Sequence, residues 1–176
     1  MTHIKNLTIR AILAASICVI APLCIPAGAV PITAATLIIF IVSACTDISF
    51  SLPAVLLYIA LGAFGLPVFS GFTGGFHILA GVTGGFIIGY IPCTALISLI
   101  CAKYSEKKFS FPLSMILGTL ILYICGTAWH CIVTDSSVTA SAAVCILPFI
   151  PGDIIKIAVA SAISIPLKSR LTGIIK

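Results

Sequence analysis

An aspartate and a lysine stand three positions apart inside a long apolar stretch of this sequence. They are Asp153 and Lys156, in the segment PGDIIK at 151–156, which follows AAVCILPFI and precedes IAVASAISIPL. On a helix, residues three apart are neighbours, so the carboxylate and the ammonium can form an ion pair. In dry surroundings such a pair suits a small molecule that carries a carboxylate and N–H donors.

The composition identifies these surroundings as a lipid bilayer. The chain has 176 residues, of which 61% are hydrophobic and 7% charged, and its mean hydropathy is +1.32. Because soluble domains carry about 25% charged residues, this chain lacks the polar surface to remain in water. We predict a single membrane-embedded domain over 1–176. No basic face for nucleic acid can form on such apolar segments.

Apolar runs, divided by proline, glycine and charged residues, predict an all-α protein with about six membrane-spanning helices. The predicted spans are 10–28, 32–46, 51–64, 78–102, 111–133 and 150–168. The second and third are shorter than the roughly 20 residues that a straight crossing needs. They therefore extend into their loops or cross protein rather than lipid. The runs do not alternate, which argues against a strand barrel.

The basic residues predict the orientation of these helices. They cluster before the first span, between the fourth and fifth, and after the sixth, while the opposite loops near 29–31, 65–77 and 134–149 contain none. All of them except Lys156 follow this pattern: Lys5, Arg10, Lys103, Lys107, Lys108, Lys168, Arg170 and Lys176. The positive-inside rule then places both termini in the cytoplasm. In the alternative, PAGA at 26–29 ends a cleaved secretory signal, and five spans remain.

The Asp153–Lys156 pair also has a purely structural interpretation. Pro151 suits the first position of a helix, and Asp153 in the first turn suits the positive end of the helix dipole. This explains Lys156 less well, because a lysine within the membrane costs about 2.5–3.5 kcal/mol even on a lenient scale. We therefore predict that both side chains face a ligand. An internal brace is the alternative.

A second informative segment is rich in glycine. Most of the chain's 14 glycines lie between positions 62 and 90. The first half of this segment is predicted to be an outer loop that is long enough to fold over a site. In the second half Gly81, Gly85 and Gly89 are spaced by four, which lets another helix or a ligand approach the backbone. Both interpretations remain open.

Other kinds of chemistry find no support in the sequence. There is no G-x-x-x-x-G-K-[ST] phosphate loop, and the four acidic residues are too scattered for paired carboxylates or a two-metal site. The eight cysteines form no C-x-x-C pair and are expected to pack as small hydrophobic residues. We expect no enzymatic activity, no metal and no cofactor. Trp129 is either a membrane-interface anchor or a residue that stacks on a ligand.

Several segments together resemble the BioY proteins, the biotin-specific subunits of energy-coupling factor (ECF) vitamin transporters. They are VPIT (30–33), GLPVF (65–69), TGG (73–75 and 83–85), GGFIIGY (84–90) and PFIPGDIIK (148–156). The resemblance extends over roughly 7–170, with the motifs in the expected order. One departure is GVTGGF at 81–86, where BioY proteins often have Gly-Pro-Thr-Gly-Gly-Tyr. Val82 and Phe86 therefore differ, and a ligand contact through a hydroxyl at position 86 is not expected.

The resemblance implies a multi-pass subunit of the cell membrane that binds biotin near its outer face. Asp153 and Lys156 match the acidic and basic positions of the family's P-x-D-x-x-K segment. We expect Lys156 to contact the valerate carboxylate and Asp153 a ureido N–H, although the two roles can be exchanged. Further matches in the glycine-rich helix and on span five complete the predicted binding site: Gly84, Gly85, Tyr90 and Trp129.

The resemblance also implies partners, namely a membrane scaffold protein and two ATPases that supply the energy. Ala11 and Ala15 form a small-xxx-small face near the cytoplasmic end of the first span, where such a face contacts the scaffold. From spacing alone, packing within the same chain explains this face equally well. The alternative function is a structural or assembly membrane protein in which the Asp153–Lys156 pair is an internal brace.

Overall fold

A computed structural model describes residues 2–25, 30–104 and 107–175. The PAGA segment at 26–29 and Lys176 lie outside the described residues. Within the described part, eight helices and one two-stranded antiparallel sheet follow each other in the order α1 (Thr2–Ile20), β1 (Cys24–Ile25), β2 (Ile32–Thr33), α2 (Ala35–Cys45), α3 (Ile48–Ala63), α4 (Phe76–Ala80), α5 (Gly84–Lys103), α6 (Ser110–Thr134), α7 (Val138–Cys145) and α8 (Ile150–Ile175). The fold is mostly helical, as predicted.

Three of the described helices are long and apolar enough to cross a membrane. They are α5, α6 and residues 150–170 of α8. Helices α2 and α3 are apolar but have only 11 and 16 residues, which agrees with the predicted shortness of the second and third spans. Most of α2 is buried by its neighbours α1, α3, α5 and α8. It is therefore surrounded largely by protein.

The first helix differs from the predicted span 10–28. Helix α1 begins at Thr2 and ends at Ile20, and the chain then turns into β1. Pro22 explains the earlier end, because proline has no N–H for the helix and disfavours helical geometry in the residue before it. The predicted span begins with the apolar run at position 10, whereas the helix also includes the more polar residues from Thr2 onward.

The predicted span 78–102 is interrupted. Helix α4 ends at Ala80 and α5 begins at Gly84, and the backbone at Gly81 is extended, with φ −79° and ψ −176°. The carbonyl of Gly81 accepts a hydrogen bond from Trp129 Nε1 at 2.9 Å. Gly81 is therefore not on α5, and the predicted row of three glycines on one helix is reduced to Gly85 and Gly89.

Helix α7 lies in the segment 134–149, which was predicted to be a loop. Its N-cap is Ser137, whose hydroxyl accepts the N–H of Ala140 at 3.4 Å. His130 of α6 and Ser141 of α7 are linked by a hydrogen bond of 3.0 Å. This helix is short and made of small residues, so no apolar periodicity marks it in the sequence.

Helices α5 and α6 form the most extensive contact in the bundle. A Cβ atom at Gly85 would overlap the Trp129 side chain and lie 2.6 Å from the Cys125 carbonyl oxygen, and one at Gly89 would lie 3.1 Å from Cys125 Cβ. These two glycines therefore allow the α6 backbone to approach closely. All eight cysteines are free thiols, and half of them are buried, in line with their predicted packing role.

Candidate functional site

A cavity of about 200 Å³ lies at one end of the helix bundle. Its walls come from the N-terminal parts of α2, α5 and α8, the C-terminal halves of α3 and α6, and the segment 69–73. Helices that contribute opposite ends in this way run in alternating directions through the bundle. The basic residues Lys103 and Lys168 lie at the other end, where Lys168 Nζ donates to the Cys101 carbonyl at 2.7 Å.

The charged side of the cavity is formed by Asp153 and Lys156 of α8. Lys156 Nζ lies 3.2 Å from Asp153 Oδ1 and donates to Thr36 Oγ1 of α2 at 3.0 Å. The Tyr123 hydroxyl of α6 donates to Asp153 Oδ2 at 2.7 Å. The Lys156 side chain is only 14% exposed and the Asp153 side chain only 9%. Two helices therefore supply the hydrogen bonds that a buried ion pair needs to be tolerated.

The pair retains capacity for a ligand. A lysine ammonium has three N–H donors, and Lys156 uses two of them, on Asp153 and Thr36. A carboxylate has about four lone-pair positions, and Asp153 engages two side-chain donors. One donor and further acceptor sites can therefore face a bound molecule without disrupting the existing contacts.

The remaining walls are mostly apolar. Phe86 of α5 and Phe149, just before α8, stack with their ring centroids 6.0 Å apart and an interplanar angle of 29°. Val30 and Leu122 add aliphatic surface. An apolar cavity with a few polar groups on one side is typical of small-molecule binding sites.

The segment 69–73 belongs to the glycine-rich loop that was predicted to fold over a site. The Phe69 N–H donates to the Thr73 carbonyl at 2.9 Å, and the Gly71 N–H donates to the Pro22 carbonyl at 2.9 Å. Gly71 has φ +70°, which glycine adopts without strain. The first bond closes the turn, and the second links it to Pro22, just after the end of α1. Ser70 and Thr73 contribute to the cavity wall.

The predicted site residues fall into two groups. Tyr90, Asp153 and Lys156 line the cavity. Gly84, Gly85 and Trp129 pack against one another beside it: a Cβ atom at Gly84 would lie 3.0 Å from Trp129 Nε1, and the indole N–H is already bonded to the Gly81 carbonyl. Trp129 therefore fastens α6 to the break between α4 and α5. The missing side chain at Gly85 leaves room for the indole, and the one at Gly84 leaves room for the Leu79 carbonyl as well.

Several residues of the cavity had not been predicted. Thr36 and Tyr123 form the hydrogen bonds to the ion pair, yet they occur in the apolar runs AATLIIF and LILYICG, where no local pattern marks them. Phe149 lies inside the segment PFIPGDIIK, where an apolar residue does not differ from its neighbours. These residues acquire a role only through the packing of α2, α6 and α8.

Comparison with known proteins gives consistent matches over almost the whole chain. The BioY family model matches residues 1–173. The chain is 35% identical over 155 residues to "Biotin transporter BioY2" of Lactococcus lactis subsp. cremoris (strain MG1363), covering 88% of this chain and 85% of that protein. It is 36% identical over 148 residues to "Biotin transporter BioY" of Thermotoga maritima, covering 82% and 84%.

A solved structure has the same fold. It is described as the crystal structure of the S-component for biotin from an ECF-type ABC transporter. The TM-score is 0.87 at 27% sequence identity, and the match covers 95% of this chain and 92% of that chain. The helical arrangement around the cavity is therefore that of an S-component.

Proposed function

This chain belongs to the BioY family, and we propose that it is a membrane subunit that captures biotin for uptake into the cell. The observation that carries the proposal is the cavity itself. It places a buried, hydrogen-bonded Asp153–Lys156 pair beside an apolar chamber, in a chain whose relatives are described as biotin transporters. No residue is assigned a catalytic role.

Biotin has a ureido ring system at one end and a valerate carboxylate at the other. We assign the ring to the apolar chamber beside Phe86 and Phe149, with a ureido N–H donating to Asp153. The carboxylate then accepts from Lys156. This orientation is supported by a second, more open groove next to the cavity, which shares Thr33 and Lys156 with it. A flexible acid chain fits such a groove better than a rigid bicyclic ring does.

The proposed function is tested by equilibrium binding of labelled biotin to the purified protein. Saturable binding with a sub-micromolar dissociation constant is expected. If the Asp153–Lys156 pair is instead an internal brace of an assembly protein, the purified protein binds no biotin. That outcome would overturn the proposal.

We further propose that the chain is a single domain over 1–176 in the plasma membrane, with both termini in the cytoplasm. Its six membrane spans are formed by α1, α2, α3, α5, α6 and α8. The support is the separation of charge along the bundle. Lys103 and Lys168 lie at one end, and the cavity opens at the other, so the positive-inside rule makes the cavity external.

This orientation predicts a labelling pattern. In a variant without the eight native cysteines, a cysteine at Ser136 should react with a membrane-impermeant thiol reagent added to intact cells. A cysteine at Lys107 should react only after the membrane is opened. The reverse pattern would contradict the six-span topology and would place the cavity on the wrong side for uptake.

For energy, we propose that the subunit associates with a membrane scaffold protein and two ATPases. Ala11 and Ala15 support a contact of this kind, because both are exposed on α1. On the same helix Ala14 and Ile17 are buried, at 1% and 0% exposed, in the contact with the rest of the chain. The face with the two small residues is therefore not used for packing among the described residues.

Replacing Ala11 and Ala15 together with leucine is expected to abolish close helix approach. Biotin uptake by cells that contain the complete transporter should fall at least about tenfold. A loss of roughly 1.4 kcal/mol in the binding free energy between the subunit and the scaffold is enough for this. Biotin binding by the isolated subunit should be unchanged. The matched control is the double replacement of Ala158 and Ala162 with leucine, two exposed alanines with the same spacing on α8, which should affect neither. Equal loss of binding and uptake in the α1 double variant would mean that the face packs within the subunit.

A further inference from the structure

Tyr58 presents a hydroxyl group that no described residue satisfies. Its side chain lines the cavity, and the residue is 2% exposed. None of the hydrogen bonds among the described residues involves its hydroxyl, whereas the Tyr123 hydroxyl donates to Asp153. A polar group on a side chain that is almost wholly buried normally has a partner, because leaving it unpaired is unfavourable. The cavity is where the missing partner can bind.

The position of this hydroxyl is held by packing. The Phe69 ring meets the Tyr58 ring edge-on, with centroids 5.6 Å apart and planes at 85°. The Phe69 ring occupies the space where a side chain at Gly62 would lie, one turn further along α3. The Tyr58 ring on α3 is therefore packed against the segment 69–73 through Phe69.

Tyr58 also belongs to a different wall of the cavity from the ion pair. Helix α3 packs mainly against α1 and α5, whereas α8, which carries Asp153 and Lys156, packs mainly against α2 and α6. A bound molecule that fills the cavity thus meets the charged pair on one side and the tyrosine hydroxyl on another.

We propose that Tyr58 is a biotin-binding residue whose hydroxyl donates a hydrogen bond to the ureido carbonyl oxygen. This inference rests on the proposed function. Biotin presents N–H donors, a carboxylate and one carbonyl oxygen. Asp153 serves as the acceptor for an N–H and Lys156 as the donor for the carboxylate, which leaves the carbonyl oxygen without a partner. A phenol is a suitable donor for it.

The experiment compares biotin with 2-thiobiotin, in which sulfur, a weaker acceptor, replaces the ureido oxygen. Wild-type protein should prefer biotin. Tyr58→Phe retains the ring and its contact with Phe69, and should bind biotin about 2- to 13-fold more weakly, the loss expected for one hydrogen bond between neutral groups. The variant should also lose most of the preference for biotin over 2-thiobiotin.

Thermal unfolding without ligand separates binding from structural effects. Since the hydroxyl has no internal partner, Tyr58→Phe should have a Tm equal to or higher than that of the wild type. Tyr104→Phe, the same chemical change at a 44% exposed tyrosine outside the cavity, should leave both ligand affinities unchanged. A lower Tm with equal weakening for both ligands would assign Tyr58 a structural role and overturn the proposal.

Two further outcomes have different meanings. If wild-type protein binds biotin and Tyr58→Phe retains the full preference over 2-thiobiotin, only the role of Tyr58 is wrong. If wild-type protein binds neither ligand, the proposed function fails, and this inference fails with it.

Discussion

Replacing Lys156 with methionine is expected to weaken biotin binding about 10- to 150-fold. A hydrogen bond to a charged group contributes roughly 1.5–3 kcal/mol, and each 1.4 kcal/mol is tenfold in affinity. Methionine retains most of the length of the lysine side chain and removes the charge. Because Lys156 Nζ also lies 3.2 Å from Asp153 Oδ1, the substitution leaves the aspartate without its cation, which deepens the loss. Equilibrium binding to purified protein measures the effect.

The control ligand for this variant is biotin with its carboxylate converted to an amide. Wild-type protein should bind the amide much more weakly than the acid, whereas Lys156→Met should scarcely distinguish them. Lys107→Met, at an exposed lysine of the opposite end, should behave as wild type. If Lys156→Met still prefers the acid as strongly as wild type does, Lys156 is not the partner of the carboxylate. Equal weakening for both ligands with a lower Tm would favour the internal brace.

Replacing Gly85 with alanine is expected to destabilise the protein severely. The added Cβ would overlap the Trp129 side chain at its Cβ and lie 2.6 Å from the Cys125 carbonyl oxygen. Neither atom belongs to the flexible end of a side chain, so α5 and α6 must separate. Overpacking typically costs about 1–3 kcal/mol, and we expect the upper end of that range. Thermal unfolding of the purified protein without ligand measures the loss.

The matched control is Gly152→Ala in α8. The nearest atom to a Cβ there is Ile32 Cγ2 at 3.7 Å, an ordinary contact. Alanine also has a higher helix propensity than glycine, so the stability of the variant should be unchanged or higher. The comparison also separates the two interpretations of the glycine-rich helix. If Gly85→Ala keeps its Tm but loses biotin binding, Gly85 serves the ligand and the packing explanation is wrong.

Composition and local pattern determined the class of this protein. So few charged residues in so apolar a chain are compatible only with a membrane, and continuous apolar runs predict helices because a helix satisfies its own backbone hydrogen bonds in lipid. The Asp153–Lys156 pair was also visible, since its geometry depends on a spacing of three within one helix. Properties of this kind depend on neighbours in the chain.

The errors have local causes as well. Gly81, Gly85 and Gly89 have the spacing of one helix face. The helix is interrupted at Gly81, however, where the carbonyl accepts a hydrogen bond from the Trp129 indole N–H. The donor is 48 positions away in the sequence, so no pattern around Gly81 predicts the break. The type and position of Trp129 leave it open between an interface anchor and a ligand contact, and the resemblance implies the ligand contact. In the structure it packs beside Gly84 and Gly85 and is not among the residues that line the cavity.

The sequence by itself therefore determined the membrane environment, the helical class and the charged pair. Only the tertiary structure decided what surrounds that pair. Thr36, Tyr58 and Tyr123 come from three different helices, and each is an isolated polar residue in an apolar run. These three residues line one cavity because the bundle brings α2, α3 and α6 together at the end where α8 begins. Contacts between distant segments depend on how helices pack, and that arrangement leaves no periodic trace in the residues of any single helix.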